Sequence, residues 1–438
     1  MNVLTIKLKQ HTPLIHFQHD QEDATLRASE VKPKLDRFIL TRLGNGNLQT
    51  GKDLAKDRNW LIGRGEHPAL DYKMRIEATN VEKWNINERQ KYTQKHQQRG
   101  KPFIQQGNER YLAKIRNSDR KTICDLKPYP SFFANLDADY SDPNEYRKFS
   151  FTVEPISMVL TIKDNTFYNY INDADLLNDF FFQTNFGTRQ SKGFGSFSID
   201  SSDAMYRSRH SKYRFMIEMD NWESIEYIDE EYKKVFECIE LFYKTLRGGI
   251  NLKNSRRETI FYFKSLAYMY AKDYLGTKWD KRKIKESFYN DTNHETSLSH
   301  AYDVRDMLGF STSEQWLSYG DSIEKSSEIA DRMQSPILFK PFFDEDHATY
   351  HINLIFQDDK VNMTGFKEGR RVKVHSKHHR GQDFYIDLPQ SFSTESFFNY
   401  IFELLDFDIS NHVEEEYQEH EYYDILDYIY TQIKENLQ

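Results

Sequence analysis

Cysteine is almost missing: Cys124 and Cys238 are the only two in 438 residues. So sparse a pair builds neither a disulfide framework nor a paired-cysteine zinc site, and it suits a reducing compartment. Long apolar runs are missing too. No stretch of 18 apolar residues occurs, which argues against a membrane protein, and the opening Met-Asn-Val-Leu-Thr-Ile-Lys lacks the basic-then-apolar order of a signal peptide. The expected location is the cytoplasm. What is present is a chain with 15% aromatic and 29% charged residues, long enough at about 150 residues per domain for two or three cores.

The net charge of -8 would argue against a polyanion partner if it were spread evenly. It is not. Residues 1–200 hold 30 Lys and Arg against 25 Asp and Glu, residues 1–130 hold 25 against 15, and residues 201–438 hold 30 against 43. The last 38 residues carry 11 acidic side chains and a single Lys434. Such a division points to an N-terminal part that meets a polyanion and an acidic tail that faces solvent or a basic protein. Ordinary surface variation gives the same numbers.

Periodicity orders the first half. Leu4, Ile6 and Leu8 alternate along a strand at 2–9, and Val31, Leu35, Phe38, Ile39 and Leu43 fall at helical spacing over 29–43, with Pro33 expected in the first turn. Residues 70–78 read as extended. A polar insertion, 79–148, has 12 basic against 5 acidic residues between 81 and 130. A strand over Phe149–Ile162, a short helix capped by Asp173, a glycine-rich turn at 187–195 and a strand over Phe194–Ile199 follow. The β-α-β-β-α-β order is that of a ferredoxin-like (RRM-like) fold, which hosts many functions and decides none.

The second half predicts a strand at 213–219, helices at 229–247 and 258–274, a loop-rich stretch at 285–334, strands at 352–356, 371–375 and 384–388, and two closing helices at 394–406 and 418–436. The expected fold class is α+β: two ferredoxin-like domains, 1–205 and 206–438, the first with the basic insertion and the second with helical insertions. The boundary is set where Ser and Arg cluster, near 205–212.

Three segments carry chemistry. In Phe186-Gly187-Thr188-Arg189-Gln190-Ser191-Lys192-Gly193-Phe194-Gly195, three glycines allow a close backbone approach while Arg189 and Lys192 supply charge, and Gln190 lies between them. It is no nucleotide-binding P-loop, because Lys192 precedes Gly193 instead of following a glycine. Exposed amides beside Arg and Lys suit the phosphates of a polynucleotide; a basic β-turn without a ligand uses the same residues. The second segment joins Thr12-Pro13 to Arg27, Ser29, Lys32, Lys34 and Arg37 at the start of a helix, where unpaired amides favour anions; a solvated helix face is its plain alternative. The third runs from Arg332 to Pro341, which otherwise reads as a loop leading into a buried strand.

Together the three resemble the RAMP superfamily, the repeat-associated subunits of CRISPR ribonucleoprotein complexes. Gly187, Arg189, Gly193 and Gly195 match that family's late glycine loop, and Arg27, Ser29, Lys32 and Arg37 approximate its helix start, with Pro33 where the family usually has Gly and Arg37 one place late. Arg332–Phe339 looks like the second-domain counterpart in the two-domain subunit that caps type III-B effector complexes. The resemblance implies a subunit that binds guide or target RNA without cleaving it, assembles with other effector subunits, and needs no cofactor or metal. In that role Arg189, Lys192 and the loop backbone hold phosphates, the four helix cations add charge, and Trp84 and Tyr92 of the insertion stack on bases.

Two other readings stay open. Some relatives cut precursor RNA with a histidine base, and His11, His16 and His19 lie in the loop after the first strand, which makes a metal-independent endoribonuclease the alternative. A purely protein-binding subunit is the third. His347 and His351 lie on a strand, so they do not share a helical face as zinc ligands would. The cluster Lys367, Arg370, Arg371, Lys373, His375, Lys377, His378, His379 and Arg380 fits an RNA contact, a protein contact or a solvated hairpin tip.

Overall fold

A computed structural model describes the chain apart from residues 16–24, 64–68, 85–86, 107–108, 116–121, 125, 129–148, 220–227, 292–297, 299, 312–314, 319–320, 328–331 and 362–369. His16, His19, Lys367 and the whole stretch after Pro128 in the insertion lie outside the described residues.

The first domain is an antiparallel sheet with helices on one face. Strand β1 (Asn2–Gln10) leads to α1 (Ala28–Leu43) and α2 (Leu48–Asp57), then β2 (Tyr72–Glu77), the insertion, β3 (Ile156–Ile162), α3 (Asn165–Ile171), α4 (Ala174–Phe182) and β4 (Phe197–Ile199). The strands lie in the order β4-β1-β3-β2, so β3 inserts between β1 and β2, and β4 returns to the free edge of β1. Leu4, Ile6 and Leu8 of β1 and Ile156, Met158, Leu160 and Ile162 of β3 face Val31, Leu35, Ile39, Phe167, Phe180 and Phe181 in one buried cluster. Asp164 and Asp173 cap α3 and α4 by accepting from Phe167 and Leu176 amides.

Two boundaries differ from the sequence reading. Helix α1 starts five residues before Pro33, because Val31 packs in the core and Arg27, in extended conformation, serves as N-cap; the proline removes one hydrogen bond from the second turn. The expected strand 149–162 is two strands, Phe149–Phe151 and β3, separated around Pro155, and the first pairs with Leu14–Ile15 and Glu82–Trp84 in a different sheet.

The second domain begins with β5 (Arg214–Glu218) and α5 (Ile228–Arg247), followed by a hairpin of β6 (Ile250–Lys253) and β7 (Thr259–Phe263). The sequence reading made 258–274 a helix; its first residues are instead this strand, whose Phe261 and Phe263 alternate inward, and a helix begins only at Leu266 after Ser265 caps it. Next come α6 (Asp280–Tyr289), α7 (Val304–Met307), β8 (Asp321–Ser326), β9 (Ile337–Asp344), β10 (Thr349–Phe356), β11 (Arg371–Ser376), β12 (Phe384–Asp387) and the closing α8 (Glu421–Leu437). The stretch expected to be loop-rich thus supplies β8, a member of a six-stranded sheet with β11 and β12. A second sheet, β5-β10-β9, packs on α5 and α8. The outer edge of β5 is closed by side chains: Gln432 of α8 accepts from the Met216 amide (2.8 Å) and donates to its carbonyl (3.3 Å), as a neighbouring strand would.

The candidate interface at the domain joint

The three segments singled out in the sequence converge on one place, the joint between the domains. The glycine turn crosses from α4 to β4 and there meets Thr12-Pro13, α1 and strand β9. Gly187, Gly193 and Gly195 have φ of +76°, +88° and +64°, a backbone region that suits glycine. A Cβ on Gly195 would lie 2.0 Å from the Phe186 carbonyl oxygen, and one on Gly193 would lie 2.9 Å from Ile239 and 3.0 Å from Pro341. These glycines allow close approach, and what approaches is the protein itself.

Most loop amides are spent internally. Gly187 donates to the Glu30 carboxylate, Thr188 to the Ile15 carbonyl, Gly193 to that of Gln190 and Gly195 to that of Pro13. The Thr12 hydroxyl donates to the Gly193 carbonyl (2.6 Å) and accepts from the Ser196 amide (2.9 Å), giving the early Thr-Pro a structural task. Phe194 leaves this turn to stack on Phe236 of α5, ring centroids 3.7 Å apart and nearly parallel, with Phe149 on its other side. The loop is therefore a plug that carries an aromatic ring into the second domain's core.

The cations divide accordingly. Lys34 donates to the Asn185 carbonyl (2.8 Å) and to Oε1 of Gln190 (2.9 Å), so helix and loop are brought together as the motif suggests. Lys32 points elsewhere, to Asp36 and the Leu70 carbonyl. Arg37 is exposed, while Arg27 and Arg189 are half-buried. Lys192 has a half-exposed stem but a buried ammonium set over the face of Tyr243, and burial followed by the charges of Arg247 and Arg189 pushes its pKa well below the usual lysine range. The Lys192 ammonium is thus held against the second domain, away from the position of a phosphate clamp.

Strand β9 is the other half of the joint, and its outward backbone groups can be followed one by one. Phe339 donates to the Ser191 carbonyl (3.4 Å) and accepts from Asn185 (2.8 Å); Pro341 has no N–H, and its carbonyl accepts from Ser196 (2.7 Å); Phe343 donates to Nδ1 of His11 (3.0 Å). Lys340, fully buried, reaches across to the carbonyls of Thr184 and Phe197 (both 2.9 Å) and Oδ1 of Asn185 (3.1 Å). An edge strand that would otherwise recruit another chain is satisfied by backbone and side-chain groups of the first domain.

His11 sits inside this joint. Its Nδ1 accepts from Phe343 and its Nε2 faces the Ser198 hydroxyl (2.7 Å), which itself donates to the Ile199 carbonyl; the network assigns a neutral ring protonated on Nε2. Burial, then the charges of Lys9 and Lys340, hold its pKa well below 6.5. The unfolded chain consequently binds a proton below about pH 6.5 that the folded chain resists, so stability falls on acidification, by at most about 2 kcal/mol at pH 5 from this group. Denaturation midpoints at pH 7 and pH 5 check this: His11→Gln should show a smaller difference than the parent, and equal differences would remove His11 from the account.

Sequence reasoning missed a cavity of about 510 Å³ beside His11, lined by Phe182, Tyr206, Arg207, Arg214, Phe342 and Asp344 among others. Its sequence signal was the Ser and Arg cluster used only to mark a boundary. Elsewhere, Tyr92 packs against Phe103 (5.0 Å) within the insertion's own small sheet, and Arg371 lies over Tyr385. His347 and His351 both approach Asp344, and among the described residues no His, Cys, Asp and Glu side chains form a metal-binding group. No helix among the described residues is long and apolar enough to cross a membrane.

No curated protein matches the chain. A chain in the cryo-EM structure of the Type III-B Cmr-beta bound to cognate target RNA and AMPPnP is similar at 13% identity, covering 82% of this chain and 97% of that one, with a TM-score of 0.30 that is too low to bear on the fold. The family models of the Cmr1 N-terminal domain and the Cmr1 C-terminal domain match residues 1–250 and 262–435, and the chain therefore belongs to the Cmr1 family of type III-B RAMP proteins.

Proposed function

We propose that this subunit binds guide or target RNA through phosphate contacts and does not cleave it, acting in the cytoplasm beside other effector subunits. The observation that carries the reading is the open face of the first-domain sheet, which we read as ferredoxin-like from its strand order. Opposite the helices it bears Val3, Thr5, Lys7 and Lys9 of β1, Ser157, Val159 and Thr161 of β3, and Lys73, Arg75 and Glu77 of β2. Four cations share the face with one carboxylate; Arg75 pairs with Glu77 and Lys9 with Glu345 beyond the sheet, and no aromatic ring is among these residues. An RRM stacks bases on such a surface; this one offers charge to a backbone. The acidic tail, with 11 acidic side chains in the last 38 residues, suits a basic neighbour. Absence of cleavage is favoured by His11, both of whose ring nitrogens are already engaged.

Fluorescence anisotropy with the full chain and a single-stranded RNA tests this. Neutralising Lys7, Lys73 and Arg75 together should weaken binding across sequences and flatten the slope of log affinity against log salt by about 2, at roughly 0.7 per phosphate contact. The RNA should stay intact with magnesium or with EDTA. A parent chain that binds no RNA, or that cuts it at a defined site, overturns the reading.

A further inference from the structure

The cavity beside His11 combines features that phosphate binding does not require. Phe182 and Phe342 line one side with ring centroids 5.8 Å apart and 30° between planes; Phe342 is half-buried, and Tyr206, 36% exposed, lies on the rim. Flat, partly accessible rings in a cleft suit a flat partner. Charge is segregated around them. On the linker side stand Arg207, Arg209 and Arg214; at the end of β9 and on the turn after it stand Asp344, Glu345 and Asp346.

Several of these charges already have partners. Arg209 is held by Asp175 and Asp179, and Lys9 by Glu345 (2.8 Å). Arg207 and Arg214 bond through Nη1 to carbonyls of their own segment, at Tyr206 (2.6 Å) and Ser211 (3.1 Å), and a guanidinium carries five donors. Asp344 accepts from His347 (2.9 Å) and from the Asp346 amide (3.0 Å), and each carboxylate oxygen can accept again. The cavity thus offers an aromatic wall, a cationic side and an acceptor side within about 510 Å³, the size of a site for a single nucleotide.

We propose that this cavity takes one unstacked guanine of a single-stranded RNA, with the base against Phe342, its N1 and N2 donors toward Asp344, and the adjoining phosphate toward Arg207 and Arg214. The proposal rests on the RNA-binding reading and adds a base contact of a kind that the sheet-face residues named above, which include no aromatic ring, do not supply. Guanine fits because its edge offers two adjacent donors to a carboxylate, whereas uracil offers one.

The test uses the full chain and two ten-nucleotide RNAs, ten uridines and the same strand with one central guanosine. The parent should bind the guanosine strand roughly tenfold more tightly, as one two-donor base-edge contact to a carboxylate implies. Phe342→Ala should abolish that preference. Because Phe342 is partly packed, Tyr206→Ala provides a second, exposed site and should reduce the preference, while Asp344→Asn should lose it with uridine binding unchanged. Circular dichroism confirms that each variant is folded. If Tyr206→Ala and Asp344→Asn keep the parent's preference, or the parent has none, the cavity is not a base site although binding to the sheet face stands. If the parent binds neither strand, the RNA-binding reading fails and the cavity proposal with it.

Discussion

Replacing Lys325 with methionine should cost the protein about 3–5 kcal/mol of stability, the loss associated with breaking a buried ion pair from one side. Lys325 projects from β8 into a site where its ammonium donates to Asp280 (2.8 Å), Asp306 (3.0 Å) and Asp303. Arg305 approaches Asp280 (3.3 Å), and Arg247, at the end of α5, meets Asp306 (3.0 Å). Three carboxylates face three cations. Burial works against Lys325 holding its proton, but the three aspartates together outweigh it and raise its pKa; burial alone would also raise Asp280 and Asp306, yet Lys325 and Arg305 keep both below the usual carboxylate range. Asp303 is pushed well up, by burial and then by the charge of Asp306.

Without the lysine, three buried carboxylates are left with two guanidinium groups, and at least one must take a proton or move into water. Urea denaturation at pH 7 measures the loss, and adding Asp303→Asn to Lys325→Met should recover part of it by removing the surplus charge. The deficit should shrink toward pH 4 as protonation becomes cheap. A Lys325→Met protein within 1 kcal/mol of the parent, on the order expected for an exposed pair, would mean that the cluster is wetter than its geometry.

That cluster was not visible in the sequence. Asp280 and Lys325 stand on separate elements, and neither has a spacing that distinguishes it from a surface charge. The first-domain order was visible because β1 and β3 alternate and α1 repeats at helical spacing, signals fixed by the backbone period alone. The same rule failed at 259–263, where Phe261, Leu266 and Met269 imitate a helical stripe while Thr259-Ile260-Phe261-Tyr262-Phe263 has the composition of a strand. The glycine loop was legible as unusual backbone but not for its partner. Its clue was the phenylalanines: Phe186, Phe194 and Phe197 are all fully buried, and a turn built only to cradle phosphates has no use for them. His11 was conspicuous as a possible base because its residue type is reactive; its neighbours Phe343 and Ser198 lie far along the chain, and they are what define its role.

Gly195→Ala should destabilise the protein by several kcal/mol, more than strain at a left-handed position usually costs, because two penalties act at once. The backbone has φ of +64°, and the new methyl would lie 2.0 Å from the carbonyl oxygen of Phe186, whose amide donates to the Gly195 carbonyl (2.9 Å) and closes the turn. Relief requires opening the turn, and the turn also positions the Ser196 amide on Thr12 and Phe194 on Phe236. Gly46→Ala is the matched control. Gly46 has φ of +92° with nothing within 4 Å of the added methyl, so strain alone applies there, about 1–2 kcal/mol. Thermal melts of the two variants separate the terms: Gly195→Ala should melt far below Gly46→Ala. Its lost stability should appear as loss of cooperativity between the domains, seen as two transitions where the parent has one. If instead Gly195→Ala melts with Gly46→Ala and loses only RNA affinity, the loop is a ligand cradle after all, and the joint is held by β9 and its partners alone.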